Sequence, residues 1–203
     1  MMILVTGGSG SGKSAYAEDC VVNCGGAPRI YIATMYPFDG ESKKRVERHR
    51  RMRAGKGFET VECYVGLKHV EVPAGSTVLL ECMSNLTANE MFREDGAHER
   101  AQEEILEGIR RLRQQAGNLI VVTNEIFSEA ARYEGETEAY QALLGGVNRE
   151  LAELADQVTE VVYGIPVHYK GHGISEKNTA DRPCAVDDLC AAGQRSGKGR
   201  RAE

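Results

Sequence analysis

The chain begins with a short apolar segment, Met2–Thr6, that runs directly into a glycine-rich loop. The loop, residues 7–14, reads GGSGSGKS and matches the phosphate-binding pattern G-x-x-x-x-G-K-[ST]. Glycines let the backbone turn so that successive N–H groups face phosphate oxygens, and no Cβ blocks the approach. Residues 14–22 follow as a helix whose N-terminus favours an anion. This order of strand, loop and helix predicts a nucleoside triphosphate site rather than a chance glycine-rich turn.

The residue types of this loop indicate separate chemical roles. Lys13 supplies a mobile positive charge for the β- and γ-phosphates, and the Ser14 hydroxyl can ligate Mg²⁺. We therefore predict Lys13 as a catalytic residue and Ser14 as a metal ligand. The loop residues predicted to bind the nucleotide are Gly7, Gly8, Ser9, Gly10, Ser11, Gly12, Lys13 and Ser14.

Length, charge and cysteine spacing limit the class of protein. The 203 residues are enough for one full α/β domain. A net charge of −5 argues against broad attraction to nucleic acid or to an anionic membrane. We find neither an apolar stretch as long as a membrane span nor a secretory signal, so we expect a cytoplasmic protein. The six cysteines show no paired C-x-x-C spacing, which favours reduced thiols over a zinc site.

Short apolar runs alternate with helical patterns, which predicts a mostly parallel sheet flanked by helices. The predicted strands are Met2–Thr6, Arg29–Ala33, Thr77–Glu81, residues 119–123, residues 158–163 and, more weakly, Phe58–Glu62. Amphipathic helices are predicted at residues 99–115 and 138–155. The pattern disappears after residue 170. We therefore predict a single domain over residues 1–170 and a flexible tail over residues 171–203.

Residues 41–53 contain seven Lys or Arg residues and one histidine. In a helix, Arg45, His49 and Arg53 would share one face, because they are four residues apart. Two guanidiniums flanking an imidazole suit a polyphosphate. Their charges would favour a neutral ring, which can attack an α-phosphorus as a nucleophile. The alternative, from these residues alone, is a solvated basic helix with an incidental histidine.

Glu81 ends an apolar strand downstream of the phosphate loop, where P-loop enzymes place a second group that organises Mg²⁺. It could hold the ion through water or accept a proton from a substrate hydroxyl, and the sequence does not separate these roles. Asn124 and Glu125 end the next apolar run in the same way, which predicts that both pairs face one crevice. The alternative for Glu125 is a cap on the following helix.

Several motifs occur in series along the chain. They are the phosphate loop, Tyr-Ile-Ala-Thr at 31–34, Arg-x-x-x-His at 45–49, Thr-Val-Glu at 60–62, Val-Thr-Asn-Glu at 122–125 and Gly-x-x-Asn at 145–148. Over residues 1–170 this series resembles the bifunctional adenosylcobinamide kinase and adenosylcobinamide-phosphate guanylyltransferase family of cobalamin biosynthesis. The resemblance implies a P-loop NTPase with a RecA-like sheet, a homotrimer, and GTP, ATP and Mg²⁺ as ligands. The implied acceptor is an adenosylcobinamide-type corrinoid, not a nucleic acid.

Residue roles also follow from the resemblance. It implies that His49 becomes guanylylated and so is a catalytic residue. The phosphate loop and the strand end, rather than the resemblance, predict Lys13 and Glu81 as the other catalytic residues and Glu81 beside Ser14 as a metal ligand. Beyond the phosphate loop, the residues implied to bind GTP are Ala33, Thr34, Met35, Arg50, Arg51, Met52, Arg53, Glu62 and Glu81.

Two segments depart from the family pattern. Residues 126–135 replace a Gly-rich stretch that ends in Val-Pro, and Gln141-Ala142 replace an Arg-Asp pair. The nucleotide half keeps the motifs, whereas the acceptor half differs. Three alternatives stay open: a kinase for another alcohol in which His49 only binds phosphate, a RecA-like nucleic-acid binder, and a regulatory nucleotide-binding protein. The acidic net charge argues against the second of these.

Overall fold

The computed structural model describes residues 1–25, 28–127 and 134–171. In chain order, its strands and helices are β1 (Met2–Thr6), α1 (Lys13–Cys24), β2 (Arg29–Ala33), α2 (Gly40–Arg53), β3 (Phe58–Glu62), β4 (Thr77–Glu81), α3 (Met83–Phe92), α4 (Ala101–Gln115), β5 (Asn118–Val122), α5 (Glu136–Leu154), β6 (Gln157–Val162) and β7 (Ile165–Lys170). Short 3₁₀ turns lie at Leu67–His69 and His98–Arg100.

All seven strands join one sheet in the order β3-β2-β4-β5-β1-β6-β7. Each neighbouring pair is parallel except β6 and β7, which are antiparallel. This arrangement confirms the predicted mostly parallel sheet with flanking helices. Because the strands from β1 to β6 run the same way, their carboxyl ends and the loops after them meet at one edge, where ligands of such sheets bind.

Side chains alternate between the two faces of the sheet and so divide the core in two. On one face, residues such as Leu4, Ile32 and Leu80 pack against α3, α4 and α5. On the other face, residues such as Val5 and Leu79 pack against α1. Both faces are covered, which explains why the central strands read as continuous apolar runs.

Helix α2 packs differently from the others. Only Ser42 and Arg53 of its fourteen residues are buried. Its first turn is fixed by a capping box, in which Asp39 Oδ1 accepts from Ser42 N at 2.6 Å and Ser42 Oγ accepts from Asp39 N at 3.0 Å. Local hydrogen bonds rather than apolar burial therefore set the start of this helix.

The predicted strands are confirmed, although β5 and β6 are each shifted by one residue toward the N-terminus at both ends. β5 begins one residue earlier than predicted, and β6 ends before Tyr163, whose positive φ of 50° starts the turn to β7. The sequence analysis missed α3 and β7. Apart from Gly171, the predicted tail lies outside the described residues.

Two further expectations concern membranes and thiols. In the part of the chain that the structure describes, no helix has the length and apolar character needed to cross a membrane. Cys20, Cys24, Cys63 and Cys82 form no disulfide with one another, and Cys184 and Cys190, for which reduced thiols are also expected, lie outside the described residues.

Candidate active site

A cavity of about 370 Å³ lies at the carboxyl edge of the sheet, between the phosphate loop, the ends of β2 and β4, and α2. Most of the predicted site residues line it: Ser9, Gly10, Gly12, Lys13, Ser14, Ala33, Met35, His49, Arg50, Met52, Arg53, Glu62 and Glu81. The five predicted residues that do not line it are Gly7, Gly8, Ser11, Thr34 and Arg51.

The phosphate loop wraps tightly at the start of α1. Gly7 adopts a φ of +150°, and a Cβ there would lie 2.6 Å from both Ser11 Oγ and the Val161 carbonyl oxygen. A glycine is therefore required at this turn. Lys13 Nζ donates to the Gly8 carbonyl at 3.0 Å, and burial lowers the pKa of this lysine. The Lys13 ammonium is thus held inside the loop, and a bound phosphate group would compete with the Gly8 carbonyl for it.

Glu81 is the centre of the polar contacts in the cavity. Its side chain is 7% exposed. Ser14 donates to its Oε1, and the Tyr31 hydroxyl donates to its Oε2 at 3.0 Å. Burial alone would raise the pKa of this carboxyl, but the contacts with His49, Ser14 and Tyr31 outweigh burial and lower it. Glu81 is therefore a buried carboxylate that stays ionised.

His49 faces the same carboxylate from α2. Its Nδ1 lies 3.6 Å from Glu81 Oε1, and the side chain is 15% exposed. This Nδ1 is buried and has no hydrogen-bond partner within bonding distance. The sequence analysis considered only the arginines beside His49 and missed this contact with the Glu81 carboxylate.

Arg53 is the last residue of α2 and is buried. Its guanidinium lies 3.4 Å from the centre of the Tyr31 ring, and the residue is 7% exposed. Arg53 Nη1 is buried without a hydrogen-bond partner. Arg45 also lines the cavity, as expected from its position on the same face of the helix as His49. The cavity therefore holds cations with donors free for an anionic ligand.

Glu62 forms the far wall, at the end of β3. Arg50 Nη2 lies 3.4 Å from Glu62 Oε1, and the Tyr64 hydroxyl donates to Glu62 Oε2 at 2.8 Å. The ring of Tyr64 packs edge-on against Tyr36, with centroids 5.1 Å apart. About half of Glu62 is exposed, so its carboxylate is accessible from the cavity.

Two predicted site residues have structural contacts instead. The Thr34 hydroxyl accepts from Cys82 N at 2.7 Å and donates to Cys82 O at 2.8 Å, which ties the loop after β2 to the end of β4. Arg51 lies on the outer face of α2, where it is 74% exposed and 4.0 Å from Glu47. Predicting contact for a continuous run of residues ignores that a helix turns its side chains to different faces.

Glu81 and the Asn124–Glu125 pair, which were predicted to face one crevice, differ in their contacts. Asn124 lines the cavity with Glu81, but Glu125 does not. Glu125 Oε1 accepts from Phe127 N at 2.7 Å, and α5 begins only at Glu136. Glu125 therefore closes a local turn rather than capping that helix.

The sequence analysis missed several lining residues, namely Tyr31, Arg48, Thr60, Tyr64 and Asn85. A signal for Tyr31 was available. A tyrosine within an aliphatic strand must find a partner for its hydroxyl when it is buried. The end of a neighbouring strand, where Glu81 lies, is a place where such a partner can be reached.

Comparison with known proteins identifies the family. The family model for cobinamide kinase / cobinamide phosphate guanyltransferase matches residues 3–169. The chain is 34% identical to the bifunctional adenosylcobalamin biosynthesis protein CobU of Salmonella typhimurium, over 84% of this chain and 100% of that protein. The protein of the same name from Escherichia coli is 33% identical, again over 84% of this chain and 100% of that protein.

A solved structure supports the fold alone. An ATPase from the type III secretion system of pathogenic bacteria superposes with a TM-score of 0.50 at 9% identity, covering 82% of this chain and 56% of that chain. The family match extends over nearly all of the described residues and includes the phosphate loop, the basic helix and the strand ends around the cavity. The chain therefore belongs to the cobinamide kinase / cobinamide phosphate guanyltransferase family.

Proposed function

We propose that this chain phosphorylates adenosylcobinamide and then transfers GMP from GTP to adenosylcobinamide phosphate. The observation that carries the proposal is a shared carboxylate. Ser14 of the phosphate loop donates to Glu81 Oε1, and His49 of α2 faces the same oxygen at 3.6 Å. Groups suited to phosphoryl transfer and to nucleotidyl transfer thus meet in one cavity, so a single nucleotide site can serve both reactions.

The residues at the phosphate loop fit a Mg²⁺ ion. The Ser14 hydroxyl and the Glu81 carboxylate are hard oxygen donors in direct contact. Mg²⁺ is usually held by one or two protein ligands together with substrate phosphates and water. The described residues contain no cluster of three or more His, Cys, Asp or Glu that would form an all-protein cage. Ser14 and Glu81 would hold the ion, which when bound neutralises charge on the phosphates.

The lowered pKa of Glu81 bears on the two roles that the sequence leaves open. An ionised carboxylate with a low pKa is a good ligand but a weak base. This favours the metal-organising role of Glu81 over proton abstraction from the acceptor hydroxyl.

His49 would attack through Nε2. Because Nδ1 faces Glu81, the carboxylate favours the tautomer that carries its proton on Nδ1 and leaves the Nε2 lone pair available. The N–P bond to the α-phosphorus of GTP forms as the bond from that phosphorus to the bridging oxygen breaks, and pyrophosphate leaves. A phosphate oxygen of the acceptor then attacks the same phosphorus and releases His49. Arg45 and Arg53 would stabilise the charge that develops.

Phosphorylation of the acceptor needs a different arrangement. The acceptor hydroxyl attacks the γ-phosphorus and a nucleoside diphosphate leaves, with Lys13 stabilising the transferred group. His49 cannot reach the α-phosphorus in the same geometry, so α2 would move between the two steps. The sparse burial of α2 supports such a motion. Two nucleotide-bound structures with an unchanged separation of His49 and Lys13 would argue against it.

The homotrimer stays a prediction from the resemblance, and the cytoplasmic location stays a prediction from the sequence. Exposed apolar side chains on the edge strand β7 support association: Ile165 is 65% exposed and Tyr169 is 68% exposed. Edge strands of this kind are ready to pair with another chain. Sedimentation equilibrium of the purified protein would distinguish a trimer from a monomer.

The decisive test of the proposed function is covalent labelling. The purified protein is incubated with α-labelled GTP and Mg²⁺, quenched in denaturant, and examined for label that is stable in alkali and labile in acid. We expect stoichiometric label on the wild type and on His69→Ala, a matched control whose histidine is exposed and outside the cavity. We expect none on His49→Ala. Label on His49→Ala, or none on the wild type, would contradict the nucleophile assignment.

A further inference from the structure

The cavity is too small to enclose both substrates. Its volume of about 370 Å³ lies at the lower end of the roughly 300–1,000 Å³ typical of pockets for one drug-sized ligand. A nucleoside triphosphate would fill most of it. A corrinoid macrocycle therefore has to bind mainly outside the cavity, with only its reacting hydroxyl or phosphate reaching inside.

Four aromatic side chains form an apolar surface beside the cavity, which we call the aromatic shelf: Tyr36, Phe92, Phe127 and Tyr140. Tyr36 is 42% exposed, Phe92 50% and Phe127 46%. The Phe92 and Tyr140 rings lie 6.4 Å apart, and the Phe127 ring contacts α5 beside Gly145. Arg93, the neighbour of Phe92, stacks on the Tyr36 ring at 4.5 Å. Tyr36 lies in the loop after β2, Phe92 at the end of α3, Phe127 in the segment after β5 and Tyr140 in α5. The contacts join Tyr36 to Phe92 through Arg93 and Phe92 to Tyr140, and Phe127 lies against α5, the helix that carries Tyr140.

Chain neighbours of the aromatic shelf line the cavity. Met35 and Pro37, on either side of Tyr36, both line the cavity. Asn124, three residues before Phe127, lines it as well. The Tyr140 hydroxyl donates to the carbonyl of Ser84 at 3.1 Å, directly before the lining residue Asn85. A ligand lying on the shelf could therefore extend a substituent into the cavity.

The Tyr36 end of the shelf is held in place before a ligand arrives. Tyr36 is held between the edge of Tyr64 and the Arg93 guanidinium, which itself pairs with Asp95 at 2.8 Å. Asn89 of α3 donates to the carbonyl of Thr34 at 2.9 Å, which ties α3 to the loop that carries Tyr36. Less conformational freedom is lost at Tyr36 when a ligand binds, which favours affinity.

The outer face of α2 is the other surface near the cavity, and its chemistry is different. It carries Lys43, Lys44 and Arg51, all exposed. Clustered cations attract free anions, whereas a macrocycle with neutral amide side chains gains more from aromatic faces. We propose that the aromatic shelf binds the macrocycle of the corrinoid acceptor while its hydroxyl or phosphate enters the cavity. This inference rests on the proposed function.

The test measures acceptor and nucleotide binding separately in the full-length protein. The double variant Phe92→Ala/Phe127→Ala removes two exposed rings. Val22→Ala is the control, since Val22 is an exposed apolar residue of α1, on the opposite face of the sheet from α3 and α5. The dissociation constant for adenosylcobinamide is measured by equilibrium dialysis with a non-hydrolysable GTP analogue present. We expect it to rise about tenfold or more in the double variant and less than twofold in Val22→Ala.

The outcomes separate the two proposals. An unchanged corrinoid affinity in the double variant overturns the shelf and leaves the proposed function intact. An equal loss of affinity for the GTP analogue also overturns the shelf, because the damage would then extend to the cavity. A wild type that binds the GTP analogue but not adenosylcobinamide overturns both the shelf and the proposed function.

Discussion

The hydrogen bond from Tyr31 to Glu81 offers a quantitative test of how the site is built. Tyr31→Phe removes only the hydroxyl that donates to Glu81 Oε2 at 3.0 Å. The ring keeps its contacts with Arg53 and with Phe58. The lost bond is buried and involves a charged acceptor, for which the net contribution is about 1.5–3 kcal/mol. We expect the free energy of unfolding at pH 7 to fall by this amount.

The dependence on pH follows from the lowered pKa of Glu81, whose ordinary value is 4.5. A carboxyl with a depressed folded-state pKa stabilises the fold fully above its unfolded pKa, and this contribution is lost as the pH falls through the folded pKa. Tyr31→Phe raises the folded pKa. The difference from wild type should therefore be constant from pH 7 down to about 5 and shrink at lower pH.

Urea unfolding, followed by circular dichroism, measures both effects. With an m-value of about 2 kcal/mol/M, the midpoint should fall by roughly 1 M at pH 7. Tyr64→Phe is the control, because it removes a hydroxyl-to-carboxylate bond of 2.8 Å at an exposed site and should cost less than about 0.5 kcal/mol. Equal midpoints for wild type and Tyr31→Phe at pH 7 would refute the reasoning.

Three further predictions concern stability. Lys56→Met leaves the fully buried Glu18 without its partner at 2.6 Å, and urea unfolding should show a loss of about 2 kcal/mol in the free energy of unfolding. This is less than the ~3–5 kcal/mol of a fully buried pair, because Lys56 is 31% exposed. Lys56→Arg keeps the charge and should cost less. Gly108→Ala places a Cβ 2.8 Å from the buried Leu67 and should lower the free energy of unfolding by about 1–3 kcal/mol. Gly145→Ala, whose new Cβ would have its nearest neighbour at 3.5 Å, should raise it by up to about 1 kcal/mol. Thermal melts in which both variants shift the melting temperature in the same direction would contradict this packing. Asp39→Ala removes the capping box, so amide exchange should accelerate in the first turn of α2 and not in α4.

The fold could be predicted where each segment carries its own signal. The phosphate loop and the buried strands do so, since their apolar runs are continuous and turn residues bound them. Helix α3 could not, because its sequence has weak helix formers, and its N-cap residue, Cys82, makes no side-chain cap. Strand β7 was missed because it contains Pro166 and leaves its apolar side chains exposed, as edge strands can.

The candidate site is harder to predict because its contacts are long-range. Ser14 and Glu81 are 67 residues apart, and Tyr31 and Glu81 are 50 apart. Tyr31 and Glu81 meet because β2 and β4 are neighbours in the sheet although β3 lies between them in the chain. Ser14 reaches Glu81 from the first turn of α1, which follows β1, two strands away from β4 in the sheet. The residue types at strand ends indicate that a site exists. Which side chains touch within it depends on strand order and register, and no local pattern encodes these.

The sparse burial of α2 affects how the integrity of this protein can be judged. The helix carries His49 and Arg53, yet it contributes little to either half of the core. An element with so few buried contacts can open at a small fraction of the free energy of global unfolding. A melting temperature would report the sheet and its covering helices, and a preparation could pass such a screen after α2 has been cut or has frayed. Protease sensitivity within residues 40–53, with and without nucleotide, is the more faithful quality control.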